Sequence, residues 1–450
     1  MRLGLCNNLV GSGGSFNLDG LSLDLAFALD KTLTARQGPT PTFTRASTAT
    51  FVGSDGLIQS AAINEARFDH DPVTLACKGL LIEEAGTNLS LQSGVIVAGV
   101  GWIAANTTSA VNGTGPDGNP AYQITETSAN LQHGAVNTGS NAGTSGTSVV
   151  SGTNYTGSIF VKKVLGSVDW VQLTFGFAGF GSVLFANFNI GNGTIGNYTG
   201  LTSGTVPRIE QFPNGWYRIS ITAPATATTA STGNTILAFT NNTDSITRFP
   251  SYLGSISNEV LTSLWQFETG LFPTSYIPTT TSALTRSADV CSITGGDFTS
   301  FYNQSEGTVV TGYSSFADSQ VLPSNRGITM SDGTTANRVA VANIPDGYTS
   351  AGLSMVFLTS SGGASVAILG ETGLDTTTLN TISGAYKVND FASSTNGSAV
   401  VTDTSGAAPV GINKIDIGNQ FSSEFLNGHI ASVRYFKKRL PDAKLQTLTT

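Results

Sequence analysis

Apolar and polar residues alternate with a period of two along much of this chain. Ser22-Leu23-Asp24-Leu25-Ala26-Phe27 is the first such row, and residues two apart on a strand share a face. Between Leu91 and Pro278 the rows recur at a spacing suited to a sandwich. Val171, Leu173 and Phe175 alternate with Gln172 and Thr174, and Leu184, Ala186, Phe188 and Ile190 form the next row. Tyr217, Ile219 and Ile221 make a third, opposite Trp216 and Arg218, and Trp265 with Phe267 a fourth. Gly191-Asn192-Gly193 and Pro213-Asn214-Gly215 separate them, since Gly and Asn accept positive φ and Pro presets a negative one. A second series runs through Thr308-Val309-Val310, Arg338–Val341, Ser354–Leu358, Ser365–Leu369, Lys414–Ile417 and Gly428–Phe436. One short helix is expected after it, where Pro441 suits a first helical turn and Leu445 and Leu448 stand three apart. The pattern predicts an all-β protein: an N-terminal strand-rich unit, then two antiparallel β-sandwiches.

Breaks in the pattern set the expected boundaries. Residues 1–20 are rich in Gly, Asn and Ser without a period and read as an arm. Residues 1–90 are expected to form an anchoring unit too small for a core of its own. Residues 91–278 form the first sandwich, 279–289 a linker after Pro273 and Pro278, and 290–450 the second sandwich.

The least compositionally biased stretch is Ala66–Leu89, ARFDHDPVTLACKGLLIEEAGTNL. Arg67-Phe68-Asp69 reads as a short polar strand, Asp71-Pro72 as the start of a turn, and Gly79–Ile82 as a buried apolar run. With Phe43-Thr44-Arg45-Ala46-Ser47 and Gly56-Leu57-Ile58 upstream, it resembles the N-terminal signature of a family of bacteriophage and prophage virion proteins, tail-fibre-like or head-decorating. Arg45, Arg67, Asp69, Asp71, Glu83, Glu84 and Asn88 are the signature's polar residues. Family members usually carry Arg where this chain has Gly86. The blocks Phe212–Thr222 and Phe267–Thr279 resemble the end of the carbohydrate-binding-module-like jelly rolls of such proteins. Asn427–Leu448 resembles the closing strand and short helix of concanavalin-A-like, laminin-G-like sandwiches.

The resemblance implies a particle component with other virion proteins as partners, a homo-oligomeric state with a trimer as the guess, and a host surface glycan as a candidate ligand. It places the protein in the virion after synthesis in the host cytoplasm. An alternative keeps the particle and changes the address, to a capsid-decorating or head-fibre protein gripping the shell through residues 1–90. Deleting those residues is expected to leave soluble sandwiches that no longer join particles.

Composition narrows the chemistry. Only 11% of the 450 residues are charged, against 53 glycines, so Ser, Thr and Asn carry the solvated surface. The net charge of −8, with no basic run beyond Lys437-Lys438-Arg439, argues against a nucleic-acid partner, which needs a concentrated basic face. Cys6, Cys77 and Cys291 are far apart and odd in number, which fits free thiols in a reducing compartment. The first residues hold too short an apolar run for a signal peptide, and no window is long enough to insert in a membrane.

No catalytic residue, metal site or cofactor is expected. Glu83 and Glu84 are neighbours and would point to opposite faces of a strand, Asp69 and Asp71 flank a turn, and Glu268 stands alone, so no carboxylate pair suits glycan hydrolysis. A secreted glycan-active enzyme is therefore the third reading. His70, His133 and His429 lack partners at zinc spacing, and Asp117 in Gly115-Pro116-Asp117-Gly118 does not fill a calcium shell. Sugar binding needs less: an exposed aromatic face with amides and carboxylates beside it. Trp216 and Trp265 lie within strands and read as core, whereas Trp102 and Trp170 lie near strand ends and are the glycan-binding candidates.

Overall fold

The computed structural model describes residues 19–96, 101–138, 148–203, 205–230, 235–318, 324–345 and 352–450. The expected arm 1–20 and Cys6 thus lie almost wholly outside the described residues. Strands hold 49% of the chain and helices 6%, so the protein is all-β, and its sheets are antiparallel throughout the recorded pairings. Among the described residues no helix is long and apolar enough to cross a membrane.

Two units divide the chain. One comprises residues 45–76 and 85–288 and holds two six-stranded sheets. The first sheet runs Arg208–Gln211, Trp216–Pro224, Asn154–Lys163, Glu259–Thr269, Pro120–Glu126, Thr107–Thr114. The second runs Thr194–Thr199, Phe185–Asn189, Trp170–Thr174, Thr235–Phe239, Gly134–Asn137, Trp102–Ala105. The alternating rows meet between them: Ile159, Ile219, Ile221, Trp265 and Phe267 pack with Val171, Leu173, Phe175, Phe188 and Phe239. Each such side chain is worth roughly 1.5–3 kcal/mol when withdrawn from water.

The first sheet buries its other face as well. Phe160, Phe212, Trp216, Leu264 and Tyr276 form a second core, and Val52 and Ile58 of the hairpin Ala49–Val52/Ile58–Ala61 pack against it. A bulge makes both cores reachable from one strand. Register shifts between Ser158 and Phe160 opposite Glu259–Thr269, and Leu264 there adopts φ 50°. The extra residue reverses the alternation, so the inward set passes from Val260 to Trp265 and Phe267, while Leu264 turns outward.

The other described unit spans residues 19–44, 77–84 and 289–450. In one sheet the order is Val401–Asp403, Phe391–Thr395, Asn380–Lys387, Glu306–Ser315, Gly428–Phe436, and the last strand pairs on its far side with both Cys77–Ile82 and Leu21–Leu25. The facing seven-stranded sheet runs Thr42–Thr44, Val290–Thr294, Lys414–Ile417, Asn325–Ser331, Arg338–Asn343, Leu353–Ser361, Ala364–Thr372. Close packing across the gap requires Gly384, where a Cβ would overlap the Phe357 ring. The expected C-terminal helix forms over Asp442–Thr447, with Leu445 buried against Ala385 and Ala392 and Leu448 half-buried.

Contrary to the sequence expectation of a separate unit over 1–90, the described residues 19–90 are divided between the two units. Leu21–Leu25, Thr42–Thr44 and Cys77–Ile82 complete one unit, whereas Ala49–Val52, Ile58–Ala61 and Gly86–Asn88 belong to the other. Short strands bury their backbone groups only beside longer ones, and the long strands lie downstream. The stretch 279–289, read as a linker, likewise contains Leu284–Arg286 paired with Gly86–Asn88.

Candidate functional site

The signature residues are built into the fold. Arg45 is 1% exposed and donates to the carbonyls of Ser47 at 2.9 Å and Ala62 at 2.7 Å. Arg67 is fully buried, donating to Thr50 O at 2.8 Å and Ser275 Oγ at 2.9 Å. Asp69 accepts from Val52 N at 2.6 Å. Asp71 Oδ1 accepts from the amides of Val73 and Thr74 at 3.0 and 2.7 Å, the Asx-type turn expected ahead of Pro72. Glu83 is buried, with its amide donating to Asp289 Oδ2 at 2.9 Å, and its neighbour Glu84 is exposed.

Asn88 uses its whole amide: Nδ2 donates to Trp265 O and Ile277 O at 3.1 and 2.8 Å, while Oδ1 accepts from Ser90 N and Phe267 N, both at 3.0 Å. Gly86 has Arg286 as its register partner. The Arg286 guanidinium lies 3.4 Å from where a Cβ on residue 86 would stand, so positive charge reaches this place from Arg286. Arg45, Arg67, Asp69, Asp71 and Asn88 thus hold backbone groups in place.

The tryptophans separate sharply. Trp102 is 2% exposed, with its ring 4.4 Å from Trp265 in an edge-on contact and its Nε1 donating to Gln92 O at 3.3 Å. As a sugar platform Trp102 is ruled out, because the strand Trp102–Ala105 turns it into the core rather than to the rim. Trp216 and Trp265 are buried as expected. Trp170 alone of the four is half-exposed.

Trp170 stands at the start of its strand on the outer face of the second sheet, in register with Asn189. The loop 241–250 crosses that face and is held by a polar ladder. Gln172 Nε2 donates to Asn187 Oδ1 at 2.8 Å and Gln172 Oε1 accepts from Phe249 N at 2.6 Å. Asn187 Nδ2 donates to Asp244 Oδ1 at 2.8 Å, and that same oxygen accepts from Asn197 N at 2.7 Å. Arg248 donates to Thr174 Oγ1 at 2.9 Å, and burial pulls its pKa below the usual guanidinium value. Asn242 Oδ1 accepts from Asp169 N at 2.7 Å and Trp170 N at 3.3 Å, and Asp169 is ion-paired with Lys163.

Gly196 closes the shelf from below. A Cβ there would overlap both Asp244 Oδ1 and the Trp170 ring, so the indole lies directly on backbone. The result is an indole with exposed Asn197, Asn242 and Asp244 and half-exposed Asp169 around it. Apolar ring plus fixed acceptors is what a sugar face and its hydroxyls require. The signal in sequence was the polar set Gln172 and Asn187 on the outward side of apolar rows; the partner Asp244, far along the chain, gave none.

Glu268, His133 and Asp117 are each held by hydrogen bonds within the fold. Glu268 is buried and accepts from Gln266 Nε2 at 2.6 Å, Thr274 N at 2.9 Å and Thr274 Oγ1 at 2.6 Å. Burial nevertheless raises its pKa above the ordinary carboxylate value, against those hydrogen bonds and the Arg218 charge. His133 lies between the carbonyls of Asn106, Ala129 and Tyr252, and Asp117 accepts from its own loop at Asn119. Among the described residues no group of three His, Cys, Asp or Glu could hold a metal ion. A cavity of about 60 Å³ lined by Thr50, Ser60, Tyr276, Pro278 and Arg286 has room for a few waters rather than a sugar ring.

No family model and no curated protein matches the chain. Solved structures resembling part of it include Ruminococcus gnavus IT-sialidase CBM40 bound to alpha2,6 sialyllactose, at 13% identity over 33% of this chain and 85% of that one, TM-score 0.27. The NanB sialidase from Streptococcus pneumoniae aligns at 17% identity over 35% of this chain and 26% of that one, TM-score 0.27. Domain 4 of AbnA, a GH43 extracellular arabinanase from Geobacillus stearothermophilus, in complex with arabinotriose, aligns at 10% identity over 40% and 82%, TM-score 0.28. Likeness at such scores is too slight to transfer a site or a ligand.

Proposed function

We propose that this chain is a non-enzymatic structural protein of a bacteriophage particle, tail-fibre-like or adhesin-like, which holds a host surface glycan on the Trp170 shelf. The observation that carries the glycan reading is Trp170 itself: a half-exposed indole set among Asp169, Asn197, Asn242 and Asp244, in a chain whose other three tryptophans are buried. The particle assignment rests on the signature wording of Phe43–Ser47 and Ala66–Leu89. A single shelf of this kind binds in the millimolar range, and a homo-oligomer of three such chains would convert weak contacts into avidity on a repetitive surface.

Binding of the full chain to host-cell polysaccharide, measured beside Trp170→Ala, tests the site. Loss of ring stacking should weaken binding about tenfold, since such contacts are worth roughly 0.5–1.5 kcal/mol beyond area, while thermal stability stays near that of the parent. Undiminished binding by W170A would sink the reading. Immunogold labelling of intact particles with an antibody against residues 289–450 addresses location: label at the tail end supports adhesion, and label over the head turns the assignment to capsid decoration. Release of oligosaccharides from that polysaccharide would overturn the non-enzymatic reading.

A further inference from the structure

The unit containing residues 289–450 carries a second polar construction, on the outer face of its seven-stranded sheet. Arg326 is in register with Ala342, and Thr329 with Ala340 and Asp416. Asn343, one residue beyond Ala342, turns to Tyr313 of the facing sheet, so Arg326 and Thr329 point the opposite way.

The loop 418–427 lies over them. The Arg326 side chain is 3% exposed, and its Nη2 stands 2.9 Å from Glu424 Oε2. Gln420 Oε1 accepts from Arg326 Nε at 3.4 Å and Arg338 Nη1 at 2.7 Å, and Gln420 Nε2 donates to Glu424 Oε2 at 2.9 Å. Among the buried atoms without a hydrogen-bond partner are Arg326 Nη1 and Thr329 Oγ1, on one strand, and Asn419 Nδ2, in the loop. Leaving a guanidinium nitrogen buried and unused is costly. The loop offers Glu424, whose side chain remains 37% exposed. It does so in a strained backbone: Phe421, Ser422, Glu424 and Asn427 have φ of 54°, 57°, 46° and 49°, in the left-handed region that side chains other than glycine rarely adopt.

We propose that Arg326 is the centre of a binding site for carboxylate-bearing sugars, and that Glu424 occupies it as a built-in substitute for the ligand's carboxylate. Exchange of one carboxylate for another keeps the guanidinium paired, and release of the loop relieves its left-handed residues. Arg326 Nη1, left without a partner beside the Nη2 that meets Glu424, is a donor that a hydroxyl next to the carboxylate of a sugar acid would use. A glutamate side chain brings no such hydroxyl. The site is separate from the Trp170 shelf and does not depend on it.

The test uses the full chain with D-glucuronate, D-glucose and acetate at matched ionic strength, read by NMR titration and by amide hydrogen exchange. Glucuronate should speed exchange in 419–427 as Glu424 is displaced, and glucose should not. Removing the substitute should raise the competent fraction, so Glu424→Ala should bind glucuronate roughly tenfold more tightly than the parent. Glu424→Gln, which keeps an acceptor for Arg326 and guards against misfolding of the first variant, should show a smaller gain. Equal binding by parent and both variants, or equal binding of glucose and glucuronate, overturns the site. Acetate binding as strongly as glucuronate overturns its assignment to a sugar acid. W170A should leave all of these results unchanged, which keeps failure here distinct from failure of the Trp170 reading.

Discussion

Single side chains in this protein act mainly by satisfying backbone that strands leave open. Asn88 is the strongest instance, with four hydrogen bonds reaching Trp265, Ile277, Ser90 and Phe267. Asn88→Ala would strand two carbonyls and two amides in the interior, and should cost about 2–4 kcal/mol as read by denaturant unfolding. Trp102→Ala should cost about 3–5 kcal/mol through the cavity left beside Trp265, again without a direct effect on the Trp170 shelf.

Glu268 gives a prediction with a sign. Its folded-state pKa lies above its ordinary value of 4.5, so the folded chain holds a proton at a pH where the unfolded chain has released it. Ionisation at neutral pH therefore opposes folding. Glu268→Gln should melt higher than the parent at pH 7, and the difference should fade as pH drops below about 4.5, where both states are protonated. A difference that grows on acidification would contradict the assignment. Residue types alone marked Glu268 as solitary, but its burial follows from Thr274 folding back over it.

At the scale of elements, bulges and glycines decide which face a side chain takes. The alternating rows around Val171, Phe188 and Ile219 were readable because the strands carrying them are regular for several residues. Trp265 and Phe267 were readable as a pair, yet their side of the sheet relative to Val260 depends on the bulge at Leu264, which no local residue preference announces. Gly384 has a comparable role between strands: Gly384→Ala would drive a methyl into the Phe357 ring and should destabilise by roughly 1–3 kcal/mol, measurable as a lower melting temperature. Trp102 departs from the sequence expectation for a related reason. Its neighbouring glycines look like a loop rim, but its strand pairs with Gly134–Asn137, and that pairing turns the indole inward.

For the whole molecule, the interleaving of the chain matters most. Removal of residues 1–90 takes Leu21–Leu25 and Cys77–Ile82 from beside Gly428–Phe436, and the Ala49–Ala61 hairpin from the second core. Leu80, Leu81 and Ile82 are at most 2% exposed, so their partners would meet water. A fragment 91–450 should aggregate or expose apolar surface to a hydrophobic dye, in place of the soluble sandwiches that the sequence led us to expect. A monomeric, cooperatively melting fragment would show that the N-terminal strands are dispensable.

The sequence by itself determined the all-β class, the rows that form the cores, the turn at Asp71 and the short terminal helix, because each depends on residues within a few positions of one another. It named Trp170 together with Trp102 as the candidates for a sugar platform. Tertiary structure alone decided that the N-terminal strands are shared between two units, that Trp102 is core, and that Asp244 stands beside Trp170 and Glu424 beside Arg326. Those outcomes rest on pairings between residues tens to hundreds of positions apart, where hydrogen-bonded register and packing, rather than local preference, select the partner.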